Sequence, residues 1–304
     1  LIKQKKGRRN EMKYAFFIGC TALARGVNYE TSARKIAQLF NIELIDVPSF
    51  GCCGYPVTHS DHLGYLALAA RNLAEADKRG MDIVTICNAC TGALTKARNI
   101  LLKDEKERNK VNSILKPYGL EFSGISKVKH FSRVLYEDVG IEKLKERVKI
   151  SLEGWKCAAH YGCHYVKPSE LFENFDDAFM PRTLDMLIEV TGAKSVEYQN
   201  KMLCCGGGVL AVKEKISTTM TKEKLDNIKS VNADLIVLQC PFCAIMYDEY
   251  QGSIGDYNIP ILYITQLLGL SFGLDAKKEL GFSQNAVKAK KLMQFAESKK
   301  EASK

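Results

Sequence analysis

The chain has 304 residues, ordinary apolar content and a net charge of +9, enough for one large or two medium domains with a full core. Its excess charge sits in the tails: Lys3, Lys5, Lys6, Arg8 and Arg9 against Glu11 give +4, and eight lysines against three glutamates give +5 over residues 276–304. Residues 12–275 are formally neutral, which argues against a nucleic-acid partner.

Residues 13–19 form an aromatic, apolar run of strand length that ends at Cys20. The run Tyr14 to Gly19 is too short for the apolar region of a secretory signal. Thr31 to Phe40 has helical spacing, with Ala33, Ile36, Ala37 and Phe40 on one face. Glu43 to Val47 reads as a short strand closed by Pro48. His62 to Arg79 reads as a helix, with Leu63, Leu66, Ala67, Ala70, Leu73 and Ala74 on its apolar face and Gly80 at its end. Asp82 to Ile86 is a strand leading to Cys87, Thr91 to Leu102 a helix, and residues 103–116 a charged helical extension. Residues 120–150 read as a bridge.

The plan then repeats. Trp155 to Tyr161 is a strand ending at Cys163, Met180 to Thr191 a helix, and Ser195 to Tyr198 a strand. Ser217 to Ser230 is a helix, and Leu235 to Gln239 is a strand leading to Cys240. Leu262 to Leu274 reads as an apolar helix, and residues 284–304 as a basic amphipathic one. The uncharged stretch Asn258 to Leu274, broken by Pro260, Thr265 and Gln266, is too polar for a membrane span. The chain therefore reads as cytoplasmic, where thiols stay reduced.

Alternating strands and helices predict an α/β fold of two duplicated Rossmann-like halves with parallel sheets, related by a pseudo-twofold axis. The halves span residues 12–150 and 151–275, between a basic N-terminal extension (1–11) and a basic C-terminal helix and tail (276–304).

Ten of the eleven cysteines fall into two matching sets. Set one is Cys20, Cys52, Cys53, Cys87 and Cys90; set two is Cys163, Cys204, Cys205, Cys240 and Cys243. Both read C…CC…CxxC, and only Cys157 falls outside. A structural zinc or a cubane cluster closes with four thiolates, so five per set is one too many for either. Soft thiolates in this number select iron–sulfur clusters, with zinc next; a disulfide framework needs an oxidising compartment. Each group follows a strand, at the carboxyl edge where open α/β sheets bind ligands.

The two sets resemble the CCG domains of the heterodisulfide reductase B subunit. Stretches that carry the resemblance are Tyr14-Ala-Phe-Phe-Ile-Gly-Cys20, Ala69-Ala-Arg-Asn-Leu-Ala74, Asp82 to Cys90, Gly162-Cys-His164, Leu203-Cys-Cys-Gly206 and Cys240-Pro-Phe-Cys243. One departure is Gly54-Tyr55-Pro56 after Cys53, where many relatives have Pro-Ala-Pro. The resemblance implies that each set holds one non-cubane [4Fe-4S] cluster on its five cysteines. It also implies reduction of the coenzyme M–coenzyme B heterodisulfide to two thiols. Electrons would come from a cubane [4Fe-4S] subunit and a flavin-containing bifurcating subunit, working with a hydrogenase or formate dehydrogenase. The alternative is a CCG electron-transfer subunit of a lactate or glycolate oxidase or a variant succinate dehydrogenase. If both clusters do the chemistry, they are expected to face one cleft with Tyr55, Asn88, His164 and Phe242 in its lining and cations at its mouth.

Reducing a disulfide also takes two protons. His160 and His164 bracket Cys163, and each is a candidate proton donor or a hydrogen-bond donor to a ligand sulfur. His59 and His62 follow the first CC pair, and Lys167 and Arg182 are candidate anion contacts. Cys157 reads as a buried, inert thiol. Gly206-Gly207-Gly208 is attributed to the turn around Cys204-Cys205, since no GK[ST] follows.

Overall fold

The computed structural model describes residues 12–302, so the N-terminal extension and the last two residues of the tail lie outside the described residues. The first half runs β1 (Met12–Phe17), α1 (Cys20–Arg25), α2 (Val27–Leu39), β2 (Ile42–Asp46) and α3 (His62–Arg79). It continues with β3 (Ile83–Thr85), α4 (Asn88–Lys103), α5 (Glu105–Leu115), β4 (Val128–His130), α6 (Phe131–Val134) and α7 (Ile141–Lys145). Its four strands pair in parallel in the order β2-β1-β3-β4.

The second half runs β5 (Lys156–His160), α8 (Thr183–Glu189), β6 (Lys194–Ser195), α9 (Glu214–Ser230), β7 (Leu235–Leu238) and α10 (Pro241–Ala244). It then adds α11 (Gln251–Ile254), β8 (Ile261–Tyr263) and α12 (Ile264–Ser271). The order β6-β5-β7-β8, again parallel, repeats the first sheet. Beyond it, α13 (Lys290–Ala302) lies on the second half, where Phe295 meets Trp155 edge to face.

Local chemistry accounts for the boundaries. Asp61 caps α3 by accepting the Gly64 N–H at 2.8 Å, and Gly80 ends it in the left-handed conformation. Strand β1 stops before Cys20 because Gly19, at φ 81°, turns the chain into α1. The four side chains of β7 are wholly buried, contributing about 1.5–3 kcal/mol each.

Several readings change. The bridge over residues 120–150 contains β4, which joins the first sheet. The apolar run from Leu262 begins as β8 and becomes helical only at Ile264. Ser195 to Tyr198 shrinks to the two-residue β6, and the helix expected from Met180 starts at Thr183.

The halves exchange contacts reciprocally, as a pseudo-twofold requires. Helix α12 packs on α2: Ser32 and Thr265 hydroxyls lie 2.7 Å apart, and Tyr29 stacks on Tyr263 with ring centroids at 4.0 Å. In return Tyr136, just past α6, donates to Met186 Sδ of α8 at 3.7 Å. The His130 ring donates to the Gln239 carbonyl at 3.0 Å, and burial lowers its pKa to about 4. One body results. Leu268→Ala, in the fully buried α12, is expected to cost about 2–5 kcal/mol. Urea unfolding measures it; a loss under about 1 kcal/mol would take α12 out of the core.

Candidate metal centre

All six cysteine groups stand past the carboxyl ends of strands: Cys20 after β1, Cys52-Cys53 after β2, Cys87 after β3, and their counterparts after β5, β6 and β7. Cys87 and Cys240 both adopt extended conformations and cap the helices that follow, so each CxxC is a helical first turn with its thiols on one side. The CC turns are built alike. Gly54 and Gly206 take φ 83° and 84°, and their N–H groups donate to Cys52 and Cys204 Sγ, each at 3.4 Å.

Nine of the ten sulfurs form one run of interacting neighbours. It passes from Cys52 to Cys53, Cys90 and Cys87, crosses the seam to Cys240, and continues through Cys243, Cys205 and Cys204 to Cys163. Sharing of protons along the run splits the thiols. Cys53 is lowered to about 4 by hydrogen bonds from Cys52 and Cys90, and Cys204 to about 2 by Cys163 and Cys205. Cys240 is held well down by Cys243 and Cys87, while Cys52, Cys90 and Cys163 are pushed up by thiolate neighbours. Cys20 stands outside the run and is exposed, with its sulfur 3.9 Å from the Thr21 hydroxyl. Cys157 lies inside β5, and burial raises it to about 12.

These residues fit an iron–sulfur group. The run offers sulfur donors alone, which suits iron–sulfur chemistry over hard cations. Glycines keep side chains away from it: a Cβ on Gly19 would sit 2.9 Å from Cys90 Sγ, and one on Gly207 3.4 Å from Cys205 Sγ. At both positions the backbone passes so near a sulfur that a side chain there would crowd it.

The two histidines part company. His160 is fully buried, and its Nε2 is hydrogen-bonded with Cys243 Sγ at 3.2 Å while Nδ1 has no partner. Burial, then the Lys224 charge, lowers its pKa to about 3, so the ring is neutral. Its Nε2 and the sulfurs of Cys205 and Cys243 lie within 4.8 Å of one another. His164 is half-buried, with its pKa lowered by burial, and packs edge-on against Tyr55 at 5.2 Å.

A 690 Å³ cavity between the halves is lined by Tyr55, His59 and Lys96 from the first and Cys163, His164 and Lys167 from the second. Set one opens elsewhere, through a 490 Å³ groove lined by Cys20, Leu23, Phe50 and Cys52. The expected shared cleft is thus two openings, and the large cavity reaches set two only. Phe242 borders a smaller recess, and Asn88 is buried in the seam, donating to the Tyr161 carbonyl at 2.6 Å. His62 faces Glu107 on the surface, and Arg182 faces Glu189 and Glu197. Lys96 and Lys224 were not singled out by sequence; each sits among several lysines or arginines, which gives no signal.

Known proteins share this architecture. The cysteine-rich domain family model, CCG, matches residues 14–95 and 157–248, once in each half. The B subunit of the ferredoxin:CoB-CoM heterodisulfide reductase of Methanosarcina mazei is 40% identical over 284 residues, 90% of this chain and 94% of that protein. A protein of Archaeoglobus profundus described as like the heterodisulfide reductase B subunit is 38% identical, over 89% of this chain and 94% of its own. The chain belongs to the heterodisulfide reductase B-subunit family of CCG proteins, iron–sulfur subunits of oxidoreductase complexes. The 8-methylmenaquinol:fumarate reductase membrane anchor subunit of Wolinella succinogenes is 30% identical, over 93% of this chain and 99% of that protein. A solved structure of a hypothetical protein from Helicobacter pylori shares the fold, with a TM-score of 0.72 at 18% identity, over 91% of this chain and 52% of that one. No described helix is long and apolar enough to cross a membrane.

Cys157→Ser is expected to leave the iron content of the purified protein unchanged, whereas Cys205→Ser loses or rearranges the centre at set two. Equal iron loss in both variants would contradict the division of the cysteines.

Proposed function

We propose that this chain reduces the coenzyme M–coenzyme B heterodisulfide to two thiols, using two non-cubane [4Fe-4S] clusters, one on each five-cysteine set. The observation that carries this reading is the cavity between the halves. It opens onto Cys163 at the end of the sulfur run and is flanked by Lys96 and Lys167. A subunit that only relays electrons needs no such access.

The balance is one disulfide, two electrons and two protons giving two thiols. When bound, the clusters supply the electrons that break the S–S bond. The chain's own residues do the rest. Lys96 and Lys167 receive the sulfonate and phosphate ends of the substrate, charges that the neutral body of the protein would not otherwise attract. Tyr55 and the neighbouring aromatic wall exclude water from the disulfide. His164, beside Cys163 and open to the cavity, relays the two protons from solvent to the departing sulfurs. His160 has no access to the cavity and is instead hydrogen-bonded with Cys243.

Electrons come from partner subunits of the complex, a cubane [4Fe-4S] protein and a flavin-containing bifurcating one working with a hydrogenase or formate dehydrogenase. The assembly is cytoplasmic. The same fold serves relatives in other reductases, and an electron-transfer role in a lactate, glycolate or succinate system is the rival reading.

Purified without oxygen, the protein is expected to hold about eight irons, two four-iron groups, and to release two thiols per heterodisulfide with an artificial donor. Replacing Lys96 and Lys167 together by Ala is expected to raise KM about a hundredfold or more with little change in kcat, the loss of two charge-assisted contacts. Iron that takes up electrons but releases no thiol would favour the electron-transfer reading.

A further inference from the structure

The two halves are built on one plan but differ at two corresponding positions that touch the sulfurs or the turns holding them. Cys205 follows Cys53 by 152 residues, and the same offset carries Asn72 of α3 onto Lys224 of α9. Both side chains tie down the chain entering a CC turn. Asn72 accepts the Gly51 N–H at 2.8 Å and donates to the Cys52 carbonyl at 2.9 Å. Lys224 Nζ donates to the carbonyls of Asn200, Lys201 and Leu203 at 2.7, 2.6 and 3.1 Å. The mechanical task is the same, yet one residue is neutral and the other a cation.

Lys224 is wholly buried, and no carboxylate pairs with it among the described ion pairs. A buried lysine without an acid is costly and loses its proton unless other anions hold it. Burial does lower its pKa, to about 7, and the last of the carbonyls it holds, Leu203, directly precedes Cys204, which puts the ammonium against the set-two turn. The charge is therefore matched to set two. The second difference acts in the same sense. Cys163 follows Cys20 by 143 residues, and that offset carries Phe17 onto His160, the ring hydrogen-bonded with Cys243. Set one has an apolar side chain there.

We propose that Lys224 makes the two sites unequal: its buried charge stabilises added negative charge at set two, so that an electron entering the pair rests on the cavity side. The inference rests on the reading that each set holds an iron–sulfur cluster. Positive charge and hydrogen bonds at the sulfurs both raise the potential of such a group. Solvent exposure works the same way and favours set one, but the difference amounts to one exposed ligand, Cys20, against an ammonium held out of water; Cys52, Cys163 and Cys204 are all half-buried. Lys224 touches neither substrate nor sulfur. It is a positioning residue that acts through the field at set two, and the electron thereby waits where the cavity meets Cys163.

The test is a redox titration of the anoxically purified complex, followed by electron paramagnetic resonance and without substrate. The signal that Cys205→Ser abolishes or alters is assigned to set two. In the wild type that signal is expected to appear at the higher potential. Lys224→Gln keeps donors for the carbonyls but removes the charge, and is expected to shift the set-two signal to lower potential while leaving the set-one signal in place. Lys224→Arg is expected to restore it. Where Lys224→Gln loses iron, Asn72→Lys takes its place and is expected to raise the potential of the set-one signal. Equal shifts of both signals, no shift with iron retained, or no rise in Asn72→Lys would overturn the proposal. A wild type without iron at both sets overturns the cluster reading and this inference with it; clusters that titrate as described but release no thiol from the heterodisulfide leave this inference standing and overturn the activity alone.

Discussion

Cys87 and Cys240 meet across the seam because β3 and β7 both end there and each cysteine caps the helix that follows. Much else depends on that contact. The Asn88 N–H donates to Cys240, and its side-chain amide donates to Tyr161, so the first CxxC turn is completed by the second half. A Cβ on Gly162 would lie 2.5 Å from that amide. Tyr55, from the first CC turn, reaches the second half, where a Cβ on Gly208 would lie 2.9 Å from its hydroxyl. The Asn88 backbone and side-chain N–H groups find their partners only while the halves stay docked, which ties the stability of the seam to the integrity of the sulfur run.

Duplication has kept the backbone devices and let the side chains diverge. Gly54 and Gly206 hold the same left-handed turn in both halves, and the strand orders are identical. Around that shared frame the access routes differ, a groove at Cys20 and Cys52 against a larger cavity at Cys163. The neighbouring side chains differ as well, Asn72 and the apolar Phe17 against Lys224 and His160. A pair of sites with the same ligands can thereby divide two tasks, receiving electrons and meeting a substrate, without a change of fold.

The sequence exposes the cysteine sets because chemistry and spacing coincide there, and it exposes β1, β3 and β7 because each is a short, continuous apolar run between turns. It hides β4, whose three residues include Lys129 paired with Asp138 and His130 turned to the seam. It disguises β8, since an apolar run continuing into α12 has no period to mark the change. Lys224 is illegible for a different reason. Helix α9 carries four lysines, and nothing local distinguishes the buried one from its solvated neighbours. The meeting of Cys87 with Cys240 belongs to the packing of one half on the other, which no segment encodes alone.

The central claim is that the two cysteine sets meet at the seam through Cys87 and Cys240, so that the two iron–sulfur groups they hold are close neighbours. Magnetic interaction between the two iron–sulfur groups of the anoxic complex tests it most directly. With both groups paramagnetic, the account predicts mutual splitting or broadening of their resonances that disappears when Cys205→Ser removes the centre at set two. Two independent signals, each unchanged by the loss of the other, would contradict it.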